Sequence, residues 1–291
     1  MTPPAILIST SARYRAVAAK TREEIARQWA DHPRIYVAGA PGADFPPAED
    51  PADWMSAALL AVEGLLGLGH EMAYWILDDH PPVGRCDSRA LNEKLPRLLR
   101  ELQAVNIGLL GCGQRREIEG RRIARTGLVR NSPSYRWKFS LHPALWSLNA
   151  LREVLLTRLG QFPEGRRTPW NFERHRDEPG GPVRRELLES TYRVEGWAWA
   201  DAGGKFSIVL KEAALWLFDG WRFFLRVGLG PAAREEFDRE GLWLYHWYLG
   251  PYPVFWSGAV RAGKPSPEFQ TFHRLFARHW MGRGWEAVAV E

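Results

Sequence analysis

A short apolar run from Ala73 to Leu77 stops at Asp78-Asp79-His80, and Pro81 and Pro82 follow at once. The run has the length of one buried strand, and the prolines bar it from continuing because they have no N–H to give to a sheet. Two carboxylates and an imidazole are thereby fixed at the C-terminal tip of a strand. In open α/β sheets, ligands bind at that edge. Hard oxygens with one imidazole suit Mg or Mn, ions that commonly bridge protein carboxylates to phosphates. Aspartate as a turn former before proline accounts for the tripeptide equally well.

The segments before this tip predict the layout around it. Ala5 to Thr10 (AILIST) reads as a first strand whose tail, Ser9-Thr10-Ser11 with Arg13, Tyr14 and Arg15, lies at its own C-terminal tip. That tail suits a nucleotide-facing loop, with Ser9 and Ser11 as candidates, or a capped turn into the next helix. Thr21 to Ala30 predicts a helix capped by Thr21, with Glu23 and Glu24 in its first turn. Arg34 to Ala38 (RIYVA) predicts a second strand. A β-α-β opening argues for a parallel, doubly wound sheet. After a loop rich in Gly, Pro and Asp, Asp53 should cap a helix from Trp54 to about Leu68.

Beyond the tip, Asn92 to Leu102 predicts a helix and Asn106 to Leu110 a short strand. Gly111 to Asn131 is arginine-rich and reads as an exposed excursion. Alternation from Arg136 to Leu141 predicts a strand and Asn149 to Leu159 a helix. Thr168 to Glu173 opens a helix or turn, with Glu173 near its beginning. Glu178 to Pro182 (EPGGP) is a natural break. Residues 1–182 are expected to form a donor-binding α/β region, and 183–291 to complete the same domain on the acceptor side. Strands are expected at Tyr192 to Trp199 and Phe206 to Leu210, and an amphipathic helix from Phe269 to Trp280.

Composition narrows the class. The 291 residues are 45% hydrophobic and 25% charged, values of a globular chain able to bury a sizeable core. The net charge of +5 favours anionic ligands, but the basic residues form no long block, so nucleic acid is not the expected partner. Cys86 and Cys112 are too few for a disulfide framework and suit a reduced cytosolic setting. No secretory leader or run of 18 apolar residues is visible, which predicts a soluble protein and leaves peripheral membrane contact open. Of 15 tryptophans, 9 lie after residue 190, and Trp243, Trp247, Tyr252 and Trp256 offer a stacking platform as well as core packing.

Several of these segments together resemble bacterial nucleotide-sugar glycosyltransferases of the GT-A fold, α/β proteins with a mostly parallel central sheet flanked by helices. The resemblance rests on ILISTSARY, on WILDDH (similar to an LLDD-aromatic element), and on YRWKFSLHPALWSLNALREVL (similar to YR-x-S-x-Q-x-x-x-W-x-x-x-x-L). TPWNFE is similar to a WEFE element, and YPVFWSGAVRAGK to a late Y-x-x-x-x-G-x-V-x-x-GK element. It spans most of the chain, and the order and spacing of the pieces carry it.

The resemblance implies metal-assisted transfer of a sugar from a nucleoside diphosphate, a UDP-sugar in the first instance, to a glycan or other hydroxyl acceptor in polysaccharide biosynthesis. It implies Asp78 and Asp79 at the donor, with Asp78, Asp79 and His80 around Mn or Mg. Glu173, 94 residues after Asp79, falls where an inverting enzyme carries its base. First-turn dipole stabilisation by Glu173, or a structural pair with an arginine of the following Arg174-His175-Arg176, is the competing expectation. His142 stands where the group has Gln, and His142, Trp170 and Trp256 are implied as sugar contacts. Arg136 and Lys138 fit a solvated strand face better than a phosphate site. His80 departs from the group's aromatic, which keeps a non-catalytic nucleotide-sugar or carbohydrate-binding protein as the alternative. A nucleotidyltransferase fits less well, because SARYR lacks the glycines of a phosphate loop.

Overall fold

A computed structural model describes residues 3–112, 120–132, 135, 137–174, 181–195, 199, 209–210, 213–214, 216–217, 247–261, 264–275, 281–282 and 284–285. Its centre is an eight-stranded sheet in the order β2-β1-β3-β7-β4-β8-β6-β5. The strands are β1 (Ala5–Ser9), β2 (Ile35–Ala38), β3 (Met72–Leu77), β4 (Asn106–Cys112), β5 (Gly120–Ile123), β6 (Leu128–Asn131), β7 (Ala144–Ser147) and β8 (Thr191–Glu195). The opening β-α-β unit is parallel as expected: β1 lies between β2 and β3 and runs with both. The sheet as a whole is mixed, which corrects the mostly parallel expectation. β7 inserts antiparallel between β3 and β4, and β6 pairs antiparallel with both β8 and β5.

Burial follows from the period of two along each strand. Ile6, Ile8, Tyr74 and Ile76 face one side, against α1 (Arg15–Gln28) and α3 (Leu95–Glu101). Ala5, Leu7, Ala73 and Trp75 face the other, against α2 (Trp54–Gly67) and α4 (Leu148–Gln161). Both faces of β1 and β3 are therefore covered, which is why their sequences are continuous apolar runs rather than alternations. Asp53 caps α2 as predicted, accepting from the Ser56 N–H at 2.9 Å. Pro96 is tolerated because it falls in the first turn of α3, after a widened turn at Ala90–Lys94.

Four predicted elements differ. α1 starts at Arg15, so Thr21 is a buried mid-helix residue and not a cap. The arginine-rich stretch supplies β5 and β6: a turn with Gly127 at φ +72° folds it onto β8 as the sheet's edge. The alternating stretch near Phe139 is a turn, closed by Ser140 N–H to the Trp137 carbonyl at 3.2 Å, with Phe139 and Leu141 both buried. Val209 and Leu210 are helical, not extended, while Phe206 lies outside the described residues.

After residue 183, α6 (Arg185–Glu189) leads into β8, which pairs parallel with β4 inside the sheet. Two small hairpins follow, β9 (Trp247–Tyr248) with β10 (Val254–Phe255), and β11 (Val260–Arg261) with β12 (Lys264–Pro265), then α7 (Pro267–Leu275). Phe255, Phe269, Phe272 and Trp285 build a third apolar cluster with Val17 of α1. The buried Glu24 anchors the chain's later residues there, its Oε1 accepting from Gly282 N–H at 2.6 Å. Among the described residues, no helix is long and apolar enough to cross a membrane.

Candidate active site

The tips of β1 and β3 end side by side, Ser9 opposite Leu77, and the antiparallel β7 begins beside them, with Ala144 opposite Trp75. This register brings Thr10, Asp78-Asp79-His80 and His142 to one edge. The short α5 (Pro169–Arg174) adds Glu173, and the loop after β10 adds Trp256 and Gly258. Residues far apart in sequence thus meet at the carboxyl ends of the parallel strands.

Asp78 is tied into the sheet. Its N–H donates to the Ser9 carbonyl at 3.1 Å, its carboxylate accepts from Thr10 Oγ1 at 2.6 Å, and its carbonyl accepts from the Thr21 hydroxyl. Burial, together with the adjacent Asp79 charge, pushes its carboxyl up to about 8. Asp79 Oδ1 lies 2.7 Å from His80 Nδ1, and the Asp79 carbonyl accepts from Ala259 N–H at 2.6 Å. His80 is buried, its Nε2 faces the Trp256 carbonyl at 3.3 Å, and its own carbonyl accepts from the Tyr252 hydroxyl at 3.0 Å. Burial lowers the His80 pKa, but the Asp79 carboxylate and the Trp256 carbonyl outweigh it, and the net shift is upward. An imidazole with both nitrogens facing oxygen acceptors is held as a doubly protonated donor.

His142 is arranged oppositely. Its ring stands edge-on to His80 with centroids 5.3 Å apart and lies nearly parallel to the Trp256 indole at 6.0 Å. Burial, and then the charge of His80, lowers its pKa to about 3. Its Nδ1 is 2.5 Å from Ser140 Oγ, which is 2.7 Å from Glu173 Oε1. Ser140 has one hydroxyl proton; given to the Glu173 carboxylate, it leaves His142 Nδ1 as donor to Ser140. Glu173 Oε1 also accepts from Leu141 N–H at 3.1 Å and sits 3.6 Å from His142 Nδ1. Glu173 is therefore a buried anchor for the His142 turn. It lies at the end of α5, not in its first turn, so the dipole expectation does not hold.

Asp78, Asp79, His80, His142, Glu173 and Trp256 are brought together. Ser9 touches this set through its backbone, its carbonyl accepting from Asp78 N–H, and not through its hydroxyl. Ser9 Oγ accepts from Trp54 Nε1 at 3.1 Å. The Ser11 carbonyl accepts from Tyr14 N–H, and its side chain caps nothing. Trp170 is 60% exposed on the outer side of α5. Of the proposed aromatic platform, Tyr252 is buried against Trp29, and Trp247 is half-buried and packs against Phe272. Trp243 lies outside the described residues, and Trp256 is the half-exposed member. Lys138 is buried, not on a solvated face, and Arg136 lies outside the described residues.

Thr10, Thr21, Ser140 and Gly258 are site residues that the sequence reading did not single out. Thr10 was within reach of it, as the residue between the two named serines; the others depend on tertiary approach. Asp78 and Asp79 supply the hard oxygens that a divalent ion requires. His80 does not fit as a third ligand in this arrangement, because both its nitrogens face acceptors. Among the described residues, no three His, Cys, Asp or Glu side chains converge as ion ligands. Chemically, the site pairs a proton-holding carboxyl and an imidazolium with a neutral imidazole wired to a carboxylate, the separation of pKa values that acid–base chemistry uses. Comparison with protein-family models, with curated proteins and with solved structures returned no match.

Proposed function

We propose that the chain is a GT-A-type glycosyltransferase that moves a sugar from a nucleoside diphosphate, a UDP-sugar in the first instance, to an acceptor hydroxyl. One observation supports this reading most. Asp78, Asp79, His80, His142, Glu173 and Trp256, each singled out from sequence for donor, acceptor or proton chemistry, meet at one sheet edge. Asp78 and Asp79 would hold a Mn or Mg ion at the diphosphate, and that ion, when bound, supplies Lewis-acid stabilisation of the leaving group. His80 orients Asp79 and places positive charge beside the same oxygens. Glu173 is the proton sink for the acceptor hydroxyl through Ser140 and His142, and Trp256 offers its exposed indole to a sugar face.

The test is a thermal-shift panel of nucleoside diphosphates and their sugars, with and without Mn, on the wild type and on Asp79→Asn. A ligand that binds only the native state raises the midpoint. Stabilisation by one diphosphate, strengthened by Mn and lost in the variant, is the expected result. A flat panel would sink the reading. The burial of Glu173 and the engagement of both His80 nitrogens favour a second reading, a donor-binding protein without turnover. Donor stabilisation with no sugar transfer to any acceptor would select it.

A further inference from the structure

Glu24 of α1 is buried, and its Oε1 gathers three donors. They are Arg27 Nη1 at 2.7 Å, Gly282 N–H at 2.6 Å and Trp285 Nε1 at 3.4 Å. Two of the three lie 258 and 261 residues further along the chain. Gly282 has room only as glycine: a Cβ there would lie 2.7 Å from Glu24 Oε1 and 2.4 Å from Arg27 Nη1. Arg27 is half-exposed and can swing away, but the enclosed Glu24 cannot.

From that anchor, packing runs unbroken to the candidate site. Trp285 stands edge-on to Phe269 at 5.5 Å, and Phe269 edge-on to Phe255 at 5.7 Å, all three buried. Phe255 directly precedes Trp256, whose carbonyl faces His80 Nε2. The backbone gives a second link. Phe269 N–H donates to Ser266 Oγ at 3.2 Å, and that buried hydroxyl donates to the Gly258 carbonyl at 3.1 Å. Ser266 N–H donates to the Ala259 carbonyl at 2.9 Å, and Ala259 N–H reaches the Asp79 carbonyl. A turn this short has no core of its own, so what Phe255 and Phe269 rest against sets where it sits. We propose that Glu24 is a remote positioning residue of the site: by holding Gly282 and Trp285 on α1, it seats the 255–259 turn against Asp79 and His80. Its effect on donor binding rests on the transferase reading; the seating of the turn does not.

The test is hydrogen exchange read by mass spectrometry on the full chain, comparing the wild type with Glu24→Ala, Glu24→Gln and Gly282→Ala. In Glu24→Ala and Gly282→Ala, the amides of 255–260 should exchange roughly tenfold faster, about the worth of one lost buried hydrogen bond. Those of β1 and β3 should keep wild-type rates. Glu24→Gln should restore slow exchange, because its amide oxygen still accepts from Gly282 N–H. Gly282→Ala leaves Glu24 and the core face of α1 in place, so it decides alone if Glu24→Ala does not fold. Unchanged exchange at 255–260 overturns the proposal, as does an equal rise across β1 and β3, the mark of general destabilisation. The donor-induced thermal shift should shrink in Gly282→Ala and match the wild type in Glu24→Gln. A wild type that shows no such shift sinks the transferase reading, while exchange still decides the seating.

Discussion

The rings of His80 and His142 meet edge to face at 5.3 Å, and their surroundings drive them to opposite protonation states. His80 is held as a cation by Asp79 and the Trp256 carbonyl, while burial and that cation keep His142 neutral, its pKa lowered from 6.5 to about 3.

The neutral member predicts a pH dependence. Below about 6.5 the unfolded chain protonates His142, whereas the native chain does not until about 3. The unfolded state then binds more protons, so stability falls as pH drops through that window. His80 acts with the opposite sign: its contribution is complete below the ordinary histidine range and is lost as pH rises through its raised native value. His142→Gln keeps an N–H for Ser140 and removes the titration. Denaturant midpoints measured from neutrality into acid should fall less for this variant than for the wild type. Parallel curves would show that His142 is not the neutral group described.

The link from Glu173 to His142 through Ser140 predicts a separation of binding from turnover. Ser140→Ala removes the hydroxyl between them, at a cost of about 1–2 kcal/mol in stability for the partners left unpaired. Glu173→Gln keeps the shape and removes the charge. Both should leave the donor-induced thermal shift intact while slowing transfer by about a hundredfold or more, the usual worth of a positioned acid–base group. Unchanged turnover in Glu173→Gln would remove the carboxylate from the proton path.

Much of this site was legible where a local rule decides the structure. Two prolines stop β3 at Asp78, and the Asp53 cap starts α2. Helix starts were less legible: Thr21 and Glu24 carry a capping signature, yet Arg15 to Lys20 contains no breaker, so α1 simply runs through from further back. Alternation near Phe139 came from a turn that buries Phe139 and Leu141, a pattern that mimics a strand. Sequence showed a tryptophan-rich tail but not its sorting, because only packing decides that Tyr252 is buried while Trp256 keeps 41% of its surface. The convergence of residues 78–80, 142, 173 and 256 rests on β7 entering antiparallel beside β3, a topological choice that no local pattern records.

Trp256 uses its two ends differently. Its carbonyl faces His80 Nε2 at 3.3 Å, while its indole is 41% exposed over His142. Trp256→Ala keeps the carbonyl, so the fold and the donor-induced thermal shift should survive. Loss of the stacking face should weaken apparent acceptor affinity by about 1–3 kcal/mol, roughly tenfold or more in KM, with kcat less affected. A fall in kcat alone, at constant KM, would place the indole in the chemistry instead of in sugar binding.

Gly258 sets how closely the late loop approaches the carboxylates. A Cβ at this position would lie 2.2 Å from Asp79 Oδ2, and the residue's φ of +73° belongs to the left-handed region. Glycine is required on both counts. The backbone is wrong for an L side chain, and the space is already filled by an Asp79 that is pinned by His80 Nδ1 and Ala259 N–H. Gly258→Ala should cost about 1–3 kcal/mol from backbone strain alone. The clash must also displace either Asp79 or the loop, so the variant should lose the donor-induced thermal shift even at temperatures where it is fully folded. Gly42, with φ +75° and nothing within 4 Å of its Cβ, is the matched control. Gly42→Ala should carry the strain but retain the thermal shift. Equal loss of the shift in both variants would trace the effect to global destabilisation and not to the Gly258–Asp79 approach.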